Sequence, residues 1–252
     1  MGKYFGTDGF RGEAGITLTS DHAYKVGRFL GWYYNALRER NGDTNPARIV
    51  IGKDTRRSSY MFEYSMVGGL VASGADAYLL HVTTTPSVAY VARTDGFDCG
   101  IMISASHNPY YDNGIKCFNH NGEKMEEELL LEVEKYMDGL TNLDLVTGDH
   151  IGEYFEWEDG LEIYMSWLKE CVPVDLTGMK ILCDLANGSA TSTAVETLDS
   201  LGATVDAINS SPNGVNINNK CGSTHPEGLQ RMMREGDYDI GFAFDGDADR
   251  LI

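Results

Sequence analysis

Short apolar runs recur along the chain, and each one ends in a polar or glycine-containing loop. Uninterrupted apolar runs of about four to eight residues, bounded by turn residues, are typical of buried strands. The pattern therefore predicts a series of strands that each open onto a loop. They lie at residues 48–52, 77–81, 100–103, 180–184, 203–208 and 240–244.

Between these runs, apolar residues recur at helical spacing. One set follows at intervals of three or four positions and forms one face of a predicted helix over residues 20–40. It consists of Ala23, Val26, Leu30, Tyr33 and Leu37. Further helices are predicted to end near residues 73, 91, 137, 168, 198 and 235. At the start of the last helix, Thr224 and Glu227 have the spacing of a capping box.

Strands and helices alternate in both halves of the chain, which is typical of α/β proteins. Periodicity fades over residues 138–159, so we predict a first unit at 1–150 and a second at 151–252. Each unit runs strand, helix, small turn, strand, and then a third strand that ends in a polar loop. We therefore expect an α/β fold of two tandem mixed-sheet domains of related topology, with helices packed on the sheets.

Composition narrows the range of functions. The 252 residues include 20 Lys and Arg against 38 Asp and Glu, a formal net charge of −18. Such an acidic chain disfavours nucleic acid and anionic membranes as partners. No apolar run reaches the roughly 18 residues of a membrane span, and the first residues lack the apolar region of a secretory signal. We expect a cytoplasmic protein whose five cysteines are free thiols.

The strand at 100–103 leads into a loop rich in hydroxyl and amide side chains, residues 104–116. Ligands of α/β sheets bind at the carboxyl ends of strands, and Ser106 stands at such an end. An Asn-Gly turn then returns the chain to Lys116. A hydroxyl nucleophile and an ammonium group fit phosphoryl transfer, which depends on positioning and positive charge. Alone, the same residues are equally compatible with an ordinary turn.

Three aspartates alternate with small residues after the strand at 240–244, namely Asp245, Asp247 and Asp249. Alternate side chains of an extended segment point the same way, so these carboxylates converge. Converging oxygen ligands select a hard cation, and Mg²⁺ is the expected one. An EF-hand needs glycine at its sixth position, where this chain has Arg250. A solvated acidic loop and a haloacid-dehalogenase-like phosphatase motif are the other, weaker interpretations.

Positive charge is concentrated in two loops of the first unit. Residues 53–59 join a strand end to a helix start, which indicates either an anion site or a capped helix with solvated arginines. Glycine-rich residues 6–12 contain Arg11 and lack the Gly-Lys-Ser/Thr of a Walker loop. We interpret His81 as a local variation and not as a ligand. These loops are where an acidic protein would bind an anion.

Three segments, 6–12, 104–116 and 245–250, resemble in wording and order the α-D-phosphohexomutases, and the similarity covers essentially the whole chain. The resemblance implies a phosphoserine enzyme that binds one Mg²⁺. From the repeated order of elements, we expect the two halves to face each other with their strand ends together, so that Ser106 meets the aspartates. It implies that Mg²⁺ is held by Ser106, Asp245, Asp247 and Asp249. It implies catalytic roles for Ser106, Lys116, His107 and Arg11, with Lys116 as the proton acceptor. It implies that phosphate is bound by Arg250, Arg11 and Lys116.

The wording of these segments is most similar to bacterial members that act on glucosamine phosphates. This implies a hexosamine phosphate substrate and an isomerase that interconverts glucosamine-6-phosphate and glucosamine-1-phosphate through a 1,6-bisphosphate, with a homodimer as a further expectation. A glucose or mannose phosphate mutase and a non-catalytic metal- and phosphate-binding fragment are the alternatives. The family has four domains, of which 252 residues cover the first and most of the second. We therefore expect this chain alone to lack mutase turnover.

Overall fold

The computed structural model describes residues 2–157 and 159–252. The strands of the first sheet are β1 (Phe5–Gly6), β2 (Gly9–Glu13), β3 (Arg48–Lys53), β4 (Asp76–Val82), β5 (Cys99–Ile103), β6 (Asp112–Asn119) and β7 (Tyr154–Glu156). They form a seven-stranded sheet in the order β1-β2-β6-β5-β3-β4-β7. Strands β3, β4 and β5 are parallel, whereas β6 runs antiparallel to both of its neighbours, β5 and β2, so the sheet is mixed as predicted.

Helices cover both faces of this sheet. They are α1 (Ser20–Arg40), α2 (Arg57–Val71), α3 (Thr85–Thr94) and α4 (Glu127–Met137). The larger core lies under α1, α2 and α4, where Leu30 and Phe62 pack on Ile51 of β3. The smaller core lies under α3 on the opposite face, where Val88 packs with Met102 of β5. Within β3, Ile51 belongs to the larger core and its neighbour Val50 to the smaller one, as the two-residue repeat of a strand requires.

Helices α1 and α2 cross in close contact at two glycines. A Cβ at Gly69 would lie 2.1 Å from the Tyr24 carbonyl oxygen, and one at Gly27 would lie 2.4 Å from the Met66 carbonyl oxygen. Only a residue without a side chain permits this approach. Although α1 has 21 residues, no helix in the described part of the chain combines the length and apolarity needed to cross a bilayer.

The second unit contains strands β8 (Lys180–Asp184), β9 (Thr204–Ile208) and β10 (Ile240–Ala243), with helices α5 (Asp159–Cys171), α6 (Ala194–Ser200) and α7 (Glu227–Glu235). Its sheet has the order β10-β8-β9, which repeats the order β5-β3-β4 of the first. These three strands are parallel, and an isolated antiparallel bridge joins Phe244 to Leu251 beside them. The predicted class of two related tandem α/β domains is confirmed.

One helix start differs from the sequence-based expectation. The capping box predicted for α7 is wrong, because Pro226 occupies the cap position and no side chain caps the helix. Proline lacks an N–H and has a φ suited to a helix start, so this end needs one hydrogen-bond acceptor fewer. A capping box forms instead at α1, between Thr19 and His22.

Strand β7 bears on where the first unit ends. It pairs parallel with β4, with Ala77 opposite Tyr154 and Leu79 opposite Glu156. The predicted division after residue 150 therefore falls just before the last strand of the large sheet. The first sheet extends to Glu156, and α5 then leads towards the second sheet, packing on α3 through stacked rings of Tyr90 and Trp167 with centroids 4.3 Å apart.

Candidate active site

Ser106 lies in the loop between β5 and β6, at the carboxyl end of the parallel strands. Its backbone adopts a left-handed conformation with φ of 52°, and the residue is fully buried. The Ser106 hydroxyl donates a 2.6 Å hydrogen bond to Oδ2 of Asp245, which follows β10. The two sheets therefore face each other with their strand ends together, and the serine meets the acidic loop.

The three aspartates converge, and one oxygen from each lies within 4.8 Å of the others. Burial, together with the charge of Asp247, raises the pKa of Asp245 to about 6. Burial opposes ionisation of Asp247 too, but Lys116 outweighs it and keeps the Asp247 pKa below its usual range. Oδ1 of Asp247 is buried and has no hydrogen-bond partner in the described part of the chain. A buried, unpaired carboxylate oxygen between further carboxylates fits a hard cation with oxygen ligands.

Two residues of the first unit hold the other oxygen of Asp247. Lys116 Nζ donates to Asp247 Oδ2 at 2.5 Å and to Asp249 Oδ2 at 3.1 Å. Burial disfavours the ammonium, but the two carboxylates raise the pKa of Lys116, so it is protonated. Thr85 Oγ1 donates to Asp247 Oδ2 at 2.5 Å, and the Thr85 N–H donates to the Asp247 carbonyl at 2.9 Å. These contacts fix the carboxylate and leave Oδ1 available.

Arg11, Lys116 and Arg250 line one cavity of about 180 Å³ beside the acidic loop. Nε and Nη2 of Arg11 are buried and have no hydrogen-bond partner among the described residues. Nη2 lies 3.5 Å from the Asp8 carboxylate, as an ion pair. Arg250 Nη1 donates to Nδ1 of His107 at 2.9 Å, so the histidine is neutral. Burial, Arg250 and Arg11 all lower the His107 pKa. With Lys124, which also lines it, the cavity presents four cationic groups, and the two arginines among them are forked donors suited to phosphate oxygens.

Two cations of the basic loop at 53–59 are already occupied by internal carboxylates. Lys53 and Arg56 are both buried, and each is paired with a buried carboxylate, Lys53 with Glu63 and Arg56 with Asp54. Lys53 and Arg56 are therefore neither solvated nor free to bind an anion. Both sequence-based interpretations of this loop are wrong for these two residues. The reason is burial, since a buried cation needs an internal partner. Of the three basic residues in this loop, only Arg57 is exposed.

His81 lies at the end of β4, beside the buried Lys53–Glu63 pair. Its backbone has a φ of 54°, next to an irregularity in the β3–β4 register. Nδ1 lies 2.9 Å from Lys53 Nζ, and Nε2 is hydrogen-bonded to Glu156 of β7. The histidine therefore links the last strand of the sheet to a core ion pair.

Two residues that sequence reasoning did not single out complete the site. Thr85 begins α3, where the Thr-Thr-Thr-Pro run indicates a helix cap and nothing more. Asn218 reaches from the second unit to the carbonyl oxygens of Ser106 and Asn108, at 2.8 and 3.1 Å. Their partners lie more than a hundred positions away in sequence, and local patterns do not show such contacts.

Two related α/β domains whose strand ends bring together a serine, three aspartates and a group of cations define the phosphohexomutase class. Models of α/β/α domains I and II of the phosphoglucomutase/phosphomannomutase family match residues 2–144 and 162–252, respectively. The chain belongs to the phosphoglucomutase/phosphomannomutase family.

Individual relatives agree with this assignment. The chain is 60% identical over 253 residues to a phosphoglucosamine mutase of Lachnospira eligens and 57% identical to that of Lachnoclostridium phytofermentans, covering 100% of this chain and 55% of each relative. The crystal structure of a phosphoglucomutase/phosphomannomutase family protein from Burkholderia thailandensis superimposes with a TM-score of 0.80 at 26% identity, covering 98% of this chain and 53% of that one. The chain thus spans about half the length of these relatives.

Proposed function

We propose that this chain is the nucleophile- and metal-bearing part of a phosphoglucosamine mutase, an isomerase that interconverts glucosamine-6-phosphate and glucosamine-1-phosphate. The observation that carries the proposal is the 2.6 Å hydrogen bond from Ser106 Oγ to Asp245, within a group of converging carboxylates. Phosphoglucosamine mutases at 57% and 60% identity along the whole chain support a hexosamine phosphate as substrate.

In the proposed reaction, a sugar hydroxyl attacks the phosphorus of phosphorylated Ser106. A new bond joins phosphorus to the sugar oxygen, the bond to Ser106 Oγ breaks, and the hydroxyl proton leaves to a base. The same steps in reverse return the other phosphate of the 1,6-bisphosphate to Ser106. Asp245, Asp247, Asp249 and a Ser106 oxygen would hold Mg²⁺, which supplies positive charge next to the transferring group.

The cations around the cavity have distinct proposed tasks. Arg11 has two buried, unbonded donor nitrogens among the described residues, which supports a role in gripping phosphate oxygens. Arg250 is proposed to do the same, with His107 orienting its guanidinium through the 2.9 Å hydrogen bond. His107 is then a positioning residue rather than the proton carrier.

Lys116 is the proposed base. It is protonated while Asp247 and Asp249 hold its ammonium group, and it can accept a proton only after losing one. We infer that Lys116 becomes a base only when these carboxylates are engaged by a cation, because its own pKa falls once their negative charge is offset. Metal binding and proton acceptance would thus be coupled through one pair of aspartates.

All five cysteines are free, and four of them are buried, which supports a reducing compartment such as the cytoplasm. The homodimer stays a prediction. Sedimentation of the purified chain would test it directly.

The proposal is tested by intact-mass spectrometry of the chain, followed by phosphopeptide mapping. We expect one phosphate on Ser106, absent from a Ser106→Ala variant and retained in a Ser104→Ala variant. Phosphate on Ser104 alone, or none after incubation with glucosamine 1,6-bisphosphate and Mg²⁺, would refute the role of Ser106. Comparing glucosamine, glucose and mannose bisphosphates as donors would test the sugar class.

A further inference from the structure

Both ends of the Ser106 backbone are tied to one buried ion pair. The Ser106 N–H donates to Ser104 Oγ at 2.9 Å, and Ser104 Oγ donates to Asp54 Oδ2 at 2.6 Å. Asp54 is paired with Arg56, whose Nη2 donates to the Ser106 carbonyl at 3.1 Å. Asp54, Arg56 and Ser104 are each 0% exposed. The hydrogen bonds therefore form a closed circuit around the peptide groups of the nucleophile.

A residue of the second unit joins this circuit from the opposite side. Asn218 Nδ2 donates to the carbonyls of Ser106 and Asn108 at 2.8 and 3.1 Å. Arg56 Nη2 donates to the same two carbonyls, at 3.1 and 2.6 Å. Each nitrogen carries two hydrogens and each carbonyl accepts two, so the four groups satisfy one another. We name this set, Arg56 and Asn218 on the carbonyls of Ser106 and Asn108, the carbonyl clamp.

The clamp holds a conformation that the loop would otherwise disfavour. The φ of 52° at Ser106 is sterically unfavourable for a residue with a side chain, and such conformations persist only where surrounding contacts impose them. The acidic loop also packs directly against the carbonyl clamp. A Cβ at Gly246 would lie 2.5 Å from the Ser106 carbonyl oxygen and 2.7 Å from Asn218 Nδ2. With the carbonyl held inward, the Ser106 hydroxyl is directed at Asp245.

We propose that Arg56 and Asn218 are positioning residues for the Ser106 hydroxyl, and that through Asn218 its orientation depends on docking of the second unit. This inference rests on the proposed function for the role of Ser106 in phosphoryl transfer. Arg56 donates to the Ser106 and Asn108 carbonyls from within the first unit. Asn218 donates to the same carbonyls from the second unit, and it can do so only when the acidic loop is also in place. The nucleophile and the metal ligands thus become ordered together.

The key variants remove the Asn218 donor without straining its backbone. Asn218 has a φ of 57°, which glycine and aspartate tolerate, so Asn218→Gly and Asn218→Asp are the variants of choice. Asn218→Asp also places a carboxylate oxygen against two carbonyls. Asn219→Gly is the matched control, because Asn219 is exposed and its side chain makes no hydrogen bond within the described residues. Arg56→Lys keeps the charge facing Asp54 and loses the forked geometry.

Two measurements are made on the whole chain. The first is the rate of Ser106 phosphorylation by glucosamine 1,6-bisphosphate with Mg²⁺, followed by intact mass over a range of donor concentrations. We expect both Asn218 variants to react roughly tenfold more slowly at saturating donor, with an unchanged half-saturating concentration, because misplacement of a nucleophile affects the transfer step. Asn219→Gly should react at the parental rate. A merely structural role would alter the melting temperature without this selective loss in the saturated rate.

The second measurement is amide hydrogen exchange of peptides covering residues 104–110, which does not depend on phosphorylation. We expect exchange at least severalfold faster in the Asn218 variants and in Arg56→Lys, and parental exchange in Asn219→Gly. Parental exchange and parental transfer rates in both Asn218 variants would overturn the inference. If the parent chain accepts no phosphate at all, the proposed function fails. The exchange measurement then still decides on the clamp: faster loop exchange in the Asn218 variants supports it, and unchanged exchange overturns it.

Discussion

The strongest test of the site measures how much the buried negative charge of Asp245 lowers the free energy of unfolding. Asp245 is 0% exposed, and burial together with Asp247 raises its pKa from 3.8 to about 6. A difference of about two pKa units corresponds to about 3 kcal/mol, by which ionised Asp245 destabilises the metal-free fold at neutral pH. Replacing Asp245 with Asn removes the charge and keeps the shape. Its amide can face Ser106 Oγ while its oxygen still accepts from the Arg250 N–H, a contact of 3.2 Å in the parent.

We therefore expect Asp245→Asn to be more stable than the parent by up to about 3 kcal/mol in urea unfolding at pH 7.5 with EDTA. The advantage of the variant shrinks with acid. A folded-state pKa above the unfolded value means that the folded parent binds the proton more tightly, so the parent gains stability relative to the variant as pH falls from about 7 to 4. At pH 5 the gap should shrink to about half, because Asp245 is then mostly protonated in the parent.

Asp237→Asn is the control, since it removes the same charge from an exposed position. It should change the free energy of unfolding by less than about 0.5 kcal/mol, with little dependence on pH. The reasoning is refuted if Asp245→Asn is less stable than the parent at pH 7.5 in EDTA, or if the gap is the same at pH 5. Excess Mg²⁺ should narrow or reverse the gap, because only the parent retains all three carboxylates.

Other consequences of the geometry can be measured on the same chain. Mg²⁺ at about 100 times its dissociation constant should raise the unfolding free energy of the parent by about 2.7 kcal/mol, and Asp247→Asn should abolish this gain; a gain retained in that variant would place the ion elsewhere. Thr85→Val should weaken Mg²⁺ binding about tenfold in calorimetric titration, because it frees Asp247 Oδ2 from a fixed orientation, whereas an unchanged affinity would exclude that role. Gly69→Ala should cost about 1–3 kcal/mol in urea unfolding, because its Cβ would lie 2.1 Å from the Tyr24 carbonyl oxygen, and a neutral effect would show that α1 and α2 can separate.

Much of the fold follows from local patterns. The spacing of apolar residues predicts α1 with the ends that the structure shows, because one helix face packs on the core. The predicted face is buried at Ala23, Val26 and Leu30, but Leu37 near the helix end is 37% exposed. Strand ends are also predictable, because each apolar run gives way to polar side chains that need hydrogen-bond partners. Ser104 and Asp245 remain 0% exposed at these ends, and other loops supply their partners. Where a single feature was used in isolation, as in the spacing of Thr224 and Glu227, the prediction failed, because a neighbouring proline took the cap position.

The chemistry of the site likewise depends partly on local sequence and partly on tertiary contacts. The sequence alone determines which groups are present: a hydroxyl after β5, three carboxylates after β10 and a lysine on the returning strand β6. Only the tertiary structure decides which of the basic residues line the cavity and which are held in internal ion pairs. Arg56 is in a loop whose composition suggests anion binding, yet its guanidinium is buried on Asp54 and the Ser106 loop. Thr85 and Asn218 acquire their roles from partners 162 and 112 residues away, because burial and hydrogen bonding depend on which surfaces dock and not on neighbours in the chain.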